Sequence, residues 1–259
     1  MNIVKSELCK LSEWFKANKL SLNIKKTHYI IFGNRSKACF ESNFHIVIES
    51  NTLERVPFTK FLGVFVDEDL NWKCHASQIA LKISKNIGVI NRIKYLLTCD
   101  ALLSLYYTMI HPYLLYCNII WGGASQLALH RLTVLQKRAV RMIACSGYRS
   151  PSSPLFKQFG ILKLCDIHKL QVYLFMFKCK YKMLPNSCLQ LVNVNSMANR
   201  YEFRKEYEFV VVKFHTECRR KAIAIMGPDL WNSLQDSIRH LSSISVFKSK
   251  LVSTFIEGY

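Results

Sequence analysis

The chain has 259 residues, is 50% hydrophobic and holds only 9 Gly and 6 Pro, which excludes disorder over most of its length and leaves enough chain for a sizeable core. Lys and Arg number 36 against 17 Asp and Glu, a net charge of +19, and that excess points to a polyanionic partner, either nucleic acid or an acidic membrane surface. Its 10 Cys form no C-x-x-C pair, so zinc ribbons and thioredoxin-like motifs have no support, and the charges spread through residues 1–20 exclude a secretory signal. The reading is a reduced intracellular protein of the nucleus or cytoplasm.

Residues 2–18 read as an amphipathic helix, with Val4, Leu8, Leu11 and Phe15 recurring at helical spacing. The period then shortens. Thr27–Phe32, His45–Ile48 and Phe61–Val66 are short β-rich runs, and they predict a small antiparallel sheet over 27–67 with the helix packed on one face. After Trp72 the pattern becomes helical again. Residues 75–97 place Ile79, Ile83, Ile87, Ile90 and Leu97 on one side, and Lys82, Lys85 and Arg92 on another. The apolar run Ala101–Trp121 is long enough for a membrane span. His111 and Pro112 at its centre, and Tyr at 106, 107, 113 and 116, instead predict a buried helical hairpin with its elbow at His111–Pro112. No membrane partner is expected.

Residues 128–145 predict a further helix, with Leu132, Leu135, Ala139 and Met142 along one face and Arg131, Lys137, Arg138 and Arg141 away from it. Tyr148–Pro154 reads as a loop, Leu164–Tyr181 as a helix, Val210–Phe214 as a strand, Pro228–Leu234 as a helix opened by its proline, and Ser245 as the start of a last helix. From Ala101 to Cys165 there is no Asp or Glu. A surface facing phosphates gains by excluding carboxylates, so the four bases of 128–145 are the sharpest local signal for a helix laid along a nucleic-acid backbone.

Catalytic signals are sparse. Asp67, Glu68 and Asp69 are the only tight acidic group, placed at a strand end where a metal ligand could sit but where turns also put such residues. Phosphate-binding glycine loops and nucleophile elbows are absent.

The segments together resemble a family. Trp14-Phe15-Lys16-Ala17-Asn18-Lys19-Leu20-Ser21-Leu22-Asn23-Ile24-Lys25-Lys26-Thr27 resembles the segment downstream of the catalytic motif in jockey-like reverse transcriptases of non-LTR retrotransposons. Phe61-Leu62-Gly63-Val64 with Asp67, Leu70 and Trp72 resembles their next element. Ser104-Leu105-Tyr106-Tyr107, Pro112-Tyr113-Leu114 and Tyr116 through Gly122 resemble their thumb-side helices. Leu135-Gln136-Lys137-Arg138-Ala139-Val140-Arg141 resembles their basic helix, and Gly160-Ile161-Leu162 and Gly227-Pro228 with Leu230-Trp231-Asn232 their C-terminal region.

The resemblance implies an α+β fold: a palm remnant over 1–72 with a small antiparallel sheet and packed helix, a helical thumb over 73–160, and a mostly helical C-terminal extension over 161–259. Those polymerases carry a Tyr-x-Asp-Asp metal motif, and no Asp-Asp dipeptide exists here. The chain is therefore expected to be a C-terminal portion of an RNA-directed DNA polymerase. No catalytic residue, metal ligand or cofactor of its own is expected, and Mg²⁺ would belong to the upstream core. The expected partners are RNA and DNA backbones and that upstream polymerase region. The resemblance places Lys26, beside Lys25, near the incoming nucleotide as an auxiliary group, and Phe61, Leu62 and Gly63 at the primer end. The alternative is a non-enzymatic basic nucleic-acid-binding protein derived from a retroelement.

Overall fold

The computed structural model describes residues 2–33, 45–48, 51–192, 209–214 and 216–259. They form an α+β fold in two units, Met1–His75 and Ala76–Tyr259.

In the first unit, α1 (Asn2–Ala17) forms where the periodicity places it and packs on β2. Only part of its apolar stripe is covered. Leu8 and Phe15 are half-buried, while Val4, Leu11 and Trp14 stay exposed. A two-residue strand is too short to cover a helix of four turns. A 3₁₀ turn, Ile24–Lys26, leads into β1 (His28–Tyr29). Among the described residues the expected single sheet is instead three separate two-stranded pairings. β1 pairs in parallel with β4 (Glu54–Arg55), β2 (Val47–Ile48) pairs antiparallel with β3 (Asn51–Thr52), and β5 (Phe58–Phe61) pairs antiparallel with β6 (Val64–Asp67).

The run Phe61–Val66, expected as one strand, is in fact the turn and second arm of the β5–β6 hairpin. Phe61 faces Val64 across the two-residue turn Leu62-Gly63. Both turn residues have positive φ, 45° and 87°, the mark of the type I′ turn whose twist suits a two-residue hairpin. Glycine takes that conformation freely. Leucine does not, which is why the turn escapes a sequence reading.

The second unit is helical. α2 (Lys73–Ile93), whose first residues lie in the first unit, buries Ile79, Ile83, Ile87 and Ile90 as its spacing predicts. It ends in a 3₁₀ turn, Lys94–Leu96, and Leu97 lies beyond it. The apolar run after it is broken into α3 (Cys99–Met109), α4 (His111–Leu115) and α5 (Asn118–Trp121). The break at Ile110–Pro112 is the expected elbow, since proline lacks the N–H that a continuous helix needs. Asn86 Nδ2 donates to the Met109 carbonyl at 2.6 Å, satisfying an acceptor at the end of α3. Among the described residues no helix is long and apolar enough to cross a membrane.

α6 (Gln126–Ile143) is followed by α7 (Ser153–Gln158), so Pro154 lies inside the first turn of a helix rather than in a loop. Proline is tolerated there because the first-turn N–H groups have no intrahelical acceptor. α8 (Leu164–Lys180) is the axis of the unit and packs against α4, α5 and α6. Beyond the short α9 (Asn186–Leu189) the expected strand Val210–Phe214 joins no ladder among the described residues; buried Phe209 anchors its start, its carbonyl accepting from Asn232 Nδ2 at 2.9 Å.

After the single turn α10 (Glu217–Arg220), α11 starts at Ile223 and runs to Asn232, so Pro228 lies inside the helix rather than at its start. Burial of Ile225, Pro228 and Trp231 against α8 outweighs the roughly 3 kcal/mol that an interior proline costs. The short α12 (Asp236–Arg239) precedes α13 (Ile244–Glu257), which buries Phe247 and Leu251 on α8. An aromatic chain closes this core. Phe209 meets Trp231 edge-on at 5.9 Å, Trp231 lies 5.7 Å from Phe247, and Phe247 lies 4.8 Å from Phe177.

Candidate nucleic-acid interface

α6 carries the strongest candidate surface. Ser125 caps it, its hydroxyl accepting from Ala128 N–H at 3.3 Å. Leu132, Leu135, Ala139, Val140, Met142 and Ile143 bury one face. Gln136 is buried among them and is held by three hydrogen bonds. Its amide nitrogen donates to the Tyr106 hydroxyl at 3.0 Å and the Leu162 carbonyl at 2.8 Å, and its oxygen accepts from Leu164 N–H at 2.9 Å. One side chain thus ties α3, α6 and the start of α8, and fixes how α6 is rotated about its axis.

With that rotation fixed, Arg131, Lys137 and Arg138 are exposed, and none of them makes an ion pair among the described residues. Arg141 is placed differently. It is half-buried, and its Nε donates to the Ser150 carbonyl at 2.6 Å, so it braces the loop after the helix. That loop closes as a turn, with Ser150 N–H donating to the Gly147 carbonyl at 3.0 Å.

The other expected site residues lie in the first unit. Lys25 and Lys26 are exposed on the 3₁₀ turn before β1. Phe61, Leu62 and Gly63 form the exposed tip of the β5–β6 hairpin, with Phe61 and Leu62 65% and 74% exposed. Gly63 is therefore a turn residue. The five residues belong to the unit Met1–His75 and the α6 bases to the unit Ala76–Tyr259.

The acidic group has a local structural use. Asp67 is buried at the end of β6, and its two carboxylate oxygens accept from Asn71 N–H and Trp72 N–H, each at 3.0 Å, shaping the entry to α2. Glu68 pairs with Arg55 at 3.2 Å. Beside them the Cys74 thiol is pushed up by burial and by the Asp67 charge, so it stays protonated.

Two features escape the sequence reading. Gln136 sits on the same face as Leu132 and Ala139, and a polar residue on an apolar stripe is the signal that could have marked it. His168 is the other. Its Nδ1 lies 3.1 Å from the Asn118 carbonyl and 3.2 Å from the Asn118 side-chain oxygen, and burial lowers its pKa. Gly122 packs against this pair, where a Cβ would collide with Asn118 and His168.

No family model matches the chain. It is 20% identical over 192 residues to the RNA-directed DNA polymerase from mobile element jockey of Drosophila melanogaster, covering 72% of this chain and 20% of that protein. It is 24% identical over 135 residues to the RNA-directed DNA polymerase from mobile element jockey of Drosophila funebris, covering 51% of this chain and 14% of that protein. The chain thus spans a fifth or less of the length of these relatives. No solved structure matches it. The similarity supports an origin related to retrotransposon reverse transcriptases.

Proposed function

We propose that this chain is the portion of a retroelement reverse transcriptase downstream of the catalytic Tyr-x-Asp-Asp motif, and that it holds nucleic acid by its phosphates. The observation that carries the reading is α6. A buried stripe and the Gln136 node fix its orientation, and Arg131, Lys137 and Arg138 are left facing solvent, without an ion pair among the described residues, inside a run from Ala101 to Cys165 that has no carboxylate. Unpaired guanidinium and ammonium groups on a rigid helix suit phosphate oxygens, which reward charge and position without reading sequence. The distant similarity to jockey polymerases supports the retroelement part of the reading.

On this reading Lys25, Lys26 and the Phe61-Leu62-Gly63 tip belong to the polymerase's handling of nucleotide and primer, and nucleotidyl transfer belongs to the upstream core. The partners are RNA and DNA backbones, together with that core.

The test is equilibrium binding to nucleic acids of unrelated sequence across a salt series. Affinity is expected to differ little between sequences. It is expected to fall with a log–log slope of about −0.7 to −0.9 per phosphate contacted. Salt-independent binding would remove the phosphate reading.

A further inference from the structure

We propose that the C-terminal end of α6 is flanked by a base-stacking platform made by Tyr95 and Tyr148, and that the nucleic acid taken there is single-stranded. The inference rests on the phosphate-binding reading of α6 and adds to it the strandedness of the ligand.

Two loops border this end of the helix. One is the segment between α2 and α3, which runs into Cys99, whose thiol donates to the Ile143 carbonyl at 3.8 Å, and into Thr98, which caps α3 by accepting from Ala101 N–H. The other is the turn Gly147–Ser150, braced by Arg141. Each loop carries a ring that the fold does not use. Tyr95 is 83% exposed and Tyr148, a central residue of its turn, is 78% exposed. Tyr148 has no ring contact among the described residues, and Tyr95 has only the Lys94 ammonium over one face at 4.8 Å. Both rings have a basic neighbour in sequence, Lys94 and Arg149, and the exposed Arg138 lies on the last turns of α6. Asp100 is the sole carboxylate between Asp69 and Asp166, and it sits in the first turn of α3, where a helix N-terminus offsets a negative charge.

Aromatic rings interleaved with bases are the pattern that binds single strands. Every nucleobase has a π-face, so stacking is tolerant of sequence, while the cations follow the backbone. A duplex offers the same phosphates, but its bases are already stacked on each other and leave a tyrosine ring no face to meet except at the two ends. Each ring is therefore useful only when the ligand is unpaired. An isolated exposed tyrosine would carry nothing. Here two lie on the two loops that border one end of one basic helix.

The experiment compares Tyr95→Ala and Tyr148→Ala, each with its Phe counterpart, on the full chain, with a labelled oligothymidylate and a blunt DNA duplex of the same length as probes. The wild-type chain is expected to prefer the oligothymidylate. Each Ala variant is expected to weaken that binding roughly 5- to 150-fold, the range that loss of one stacked base gives, and to leave duplex binding within about twofold. Both Phe variants should retain wild-type affinity, because the ring and not the hydroxyl is used. Both residues are exposed, so circular dichroism and thermal midpoints should be unchanged.

Equal affinity for the two probes, equal losses on both, or no loss in either Ala variant would overturn the stacking platform while leaving salt-dependent binding intact. If binding is salt-independent and Arg138→Ala has no effect, the phosphate reading itself fails, an outcome separable from the first.

Discussion

Leu62 holds a conformation its side chain disfavours. Its φ of 45° lies in the left-handed region, where a Cβ crowds the following carbonyl at a cost of roughly 1–2 kcal/mol, and its side chain is 74% exposed and recovers little by burial. Leu62→Asn is therefore expected to stabilise the first unit by up to about 1 kcal/mol, since Asn-Gly is the preferred pair for this turn. Denaturant unfolding checks it, and a destabilised variant would show that the leucine makes contacts the exposure does not reveal. His168 gives a residue-scale effect of opposite character. Burial lowers its pKa, so the folded state keeps the imidazole neutral while the unfolded chain takes up a proton near the ordinary histidine value. Its contribution to stability is complete above that value and is lost as pH falls below it. His111, lowered by burial and by the Lys248 charge, acts in the same direction. Thermal midpoints should fall between about pH 7 and pH 5, a window set by the histidine pKa, and His168→Gln should flatten that slope. A slope unchanged by the substitution would assign the pH dependence elsewhere.

At the scale of elements, what was legible depended on whether local pattern and tertiary packing agreed. α6, α2 and α8 could be read because their apolar spacing follows the helical period and their buried faces obey it. The hairpin could not, because Leu62 occupies a position that turn chemistry assigns to Asn or Gly. α11 starts five residues before Pro228, since packing on α8 overrides the proline as a start signal. The candidate interface was half legible. Lys137 and Arg138 could be placed on the exposed face from spacing alone, whereas Arg141, in the same run, braces the Ser150 loop, and no spacing argument separates the two uses. Gln136 supplies the stability test. Gln136→Met strands the Tyr106 hydroxyl, the Leu162 carbonyl and Leu164 N–H, and each group left unsatisfied costs roughly 1–3 kcal/mol. Leu135→Ala, a simple cavity, is expected to cost about 2–5 kcal/mol. Unfolding curves for the two variants check both, and a neutral Gln136→Met would remove the node as the device that sets the rotation of α6.

For the whole molecule the question is whether α6 acts as a site or only adds to a general positive field, since 36 bases against 17 acids attract polyanions wherever they sit. Synthesis is a separate matter. Nucleotidyl transfer of this type uses carboxylates to hold its metal pair, and no Asp-Asp dipeptide is present, so the chain by itself is expected to extend no primer with nucleotides and Mg²⁺ or Mn²⁺. Incorporation that Asp67→Ala abolishes would contradict this and return Asp67 to a metal role. The direct test of the central claim compares salt slopes for nucleic-acid binding by Lys137→Ala, Arg138→Ala and the control pair Lys248→Ala and Lys250→Ala, exposed bases on α13. Lys137→Ala and Arg138→Ala should each weaken binding and flatten the slope by about one unit, while the control pair shifts it little. Equal losses from α6 and α13 would contradict the account, leaving a diffuse basic surface with no special part for the helix.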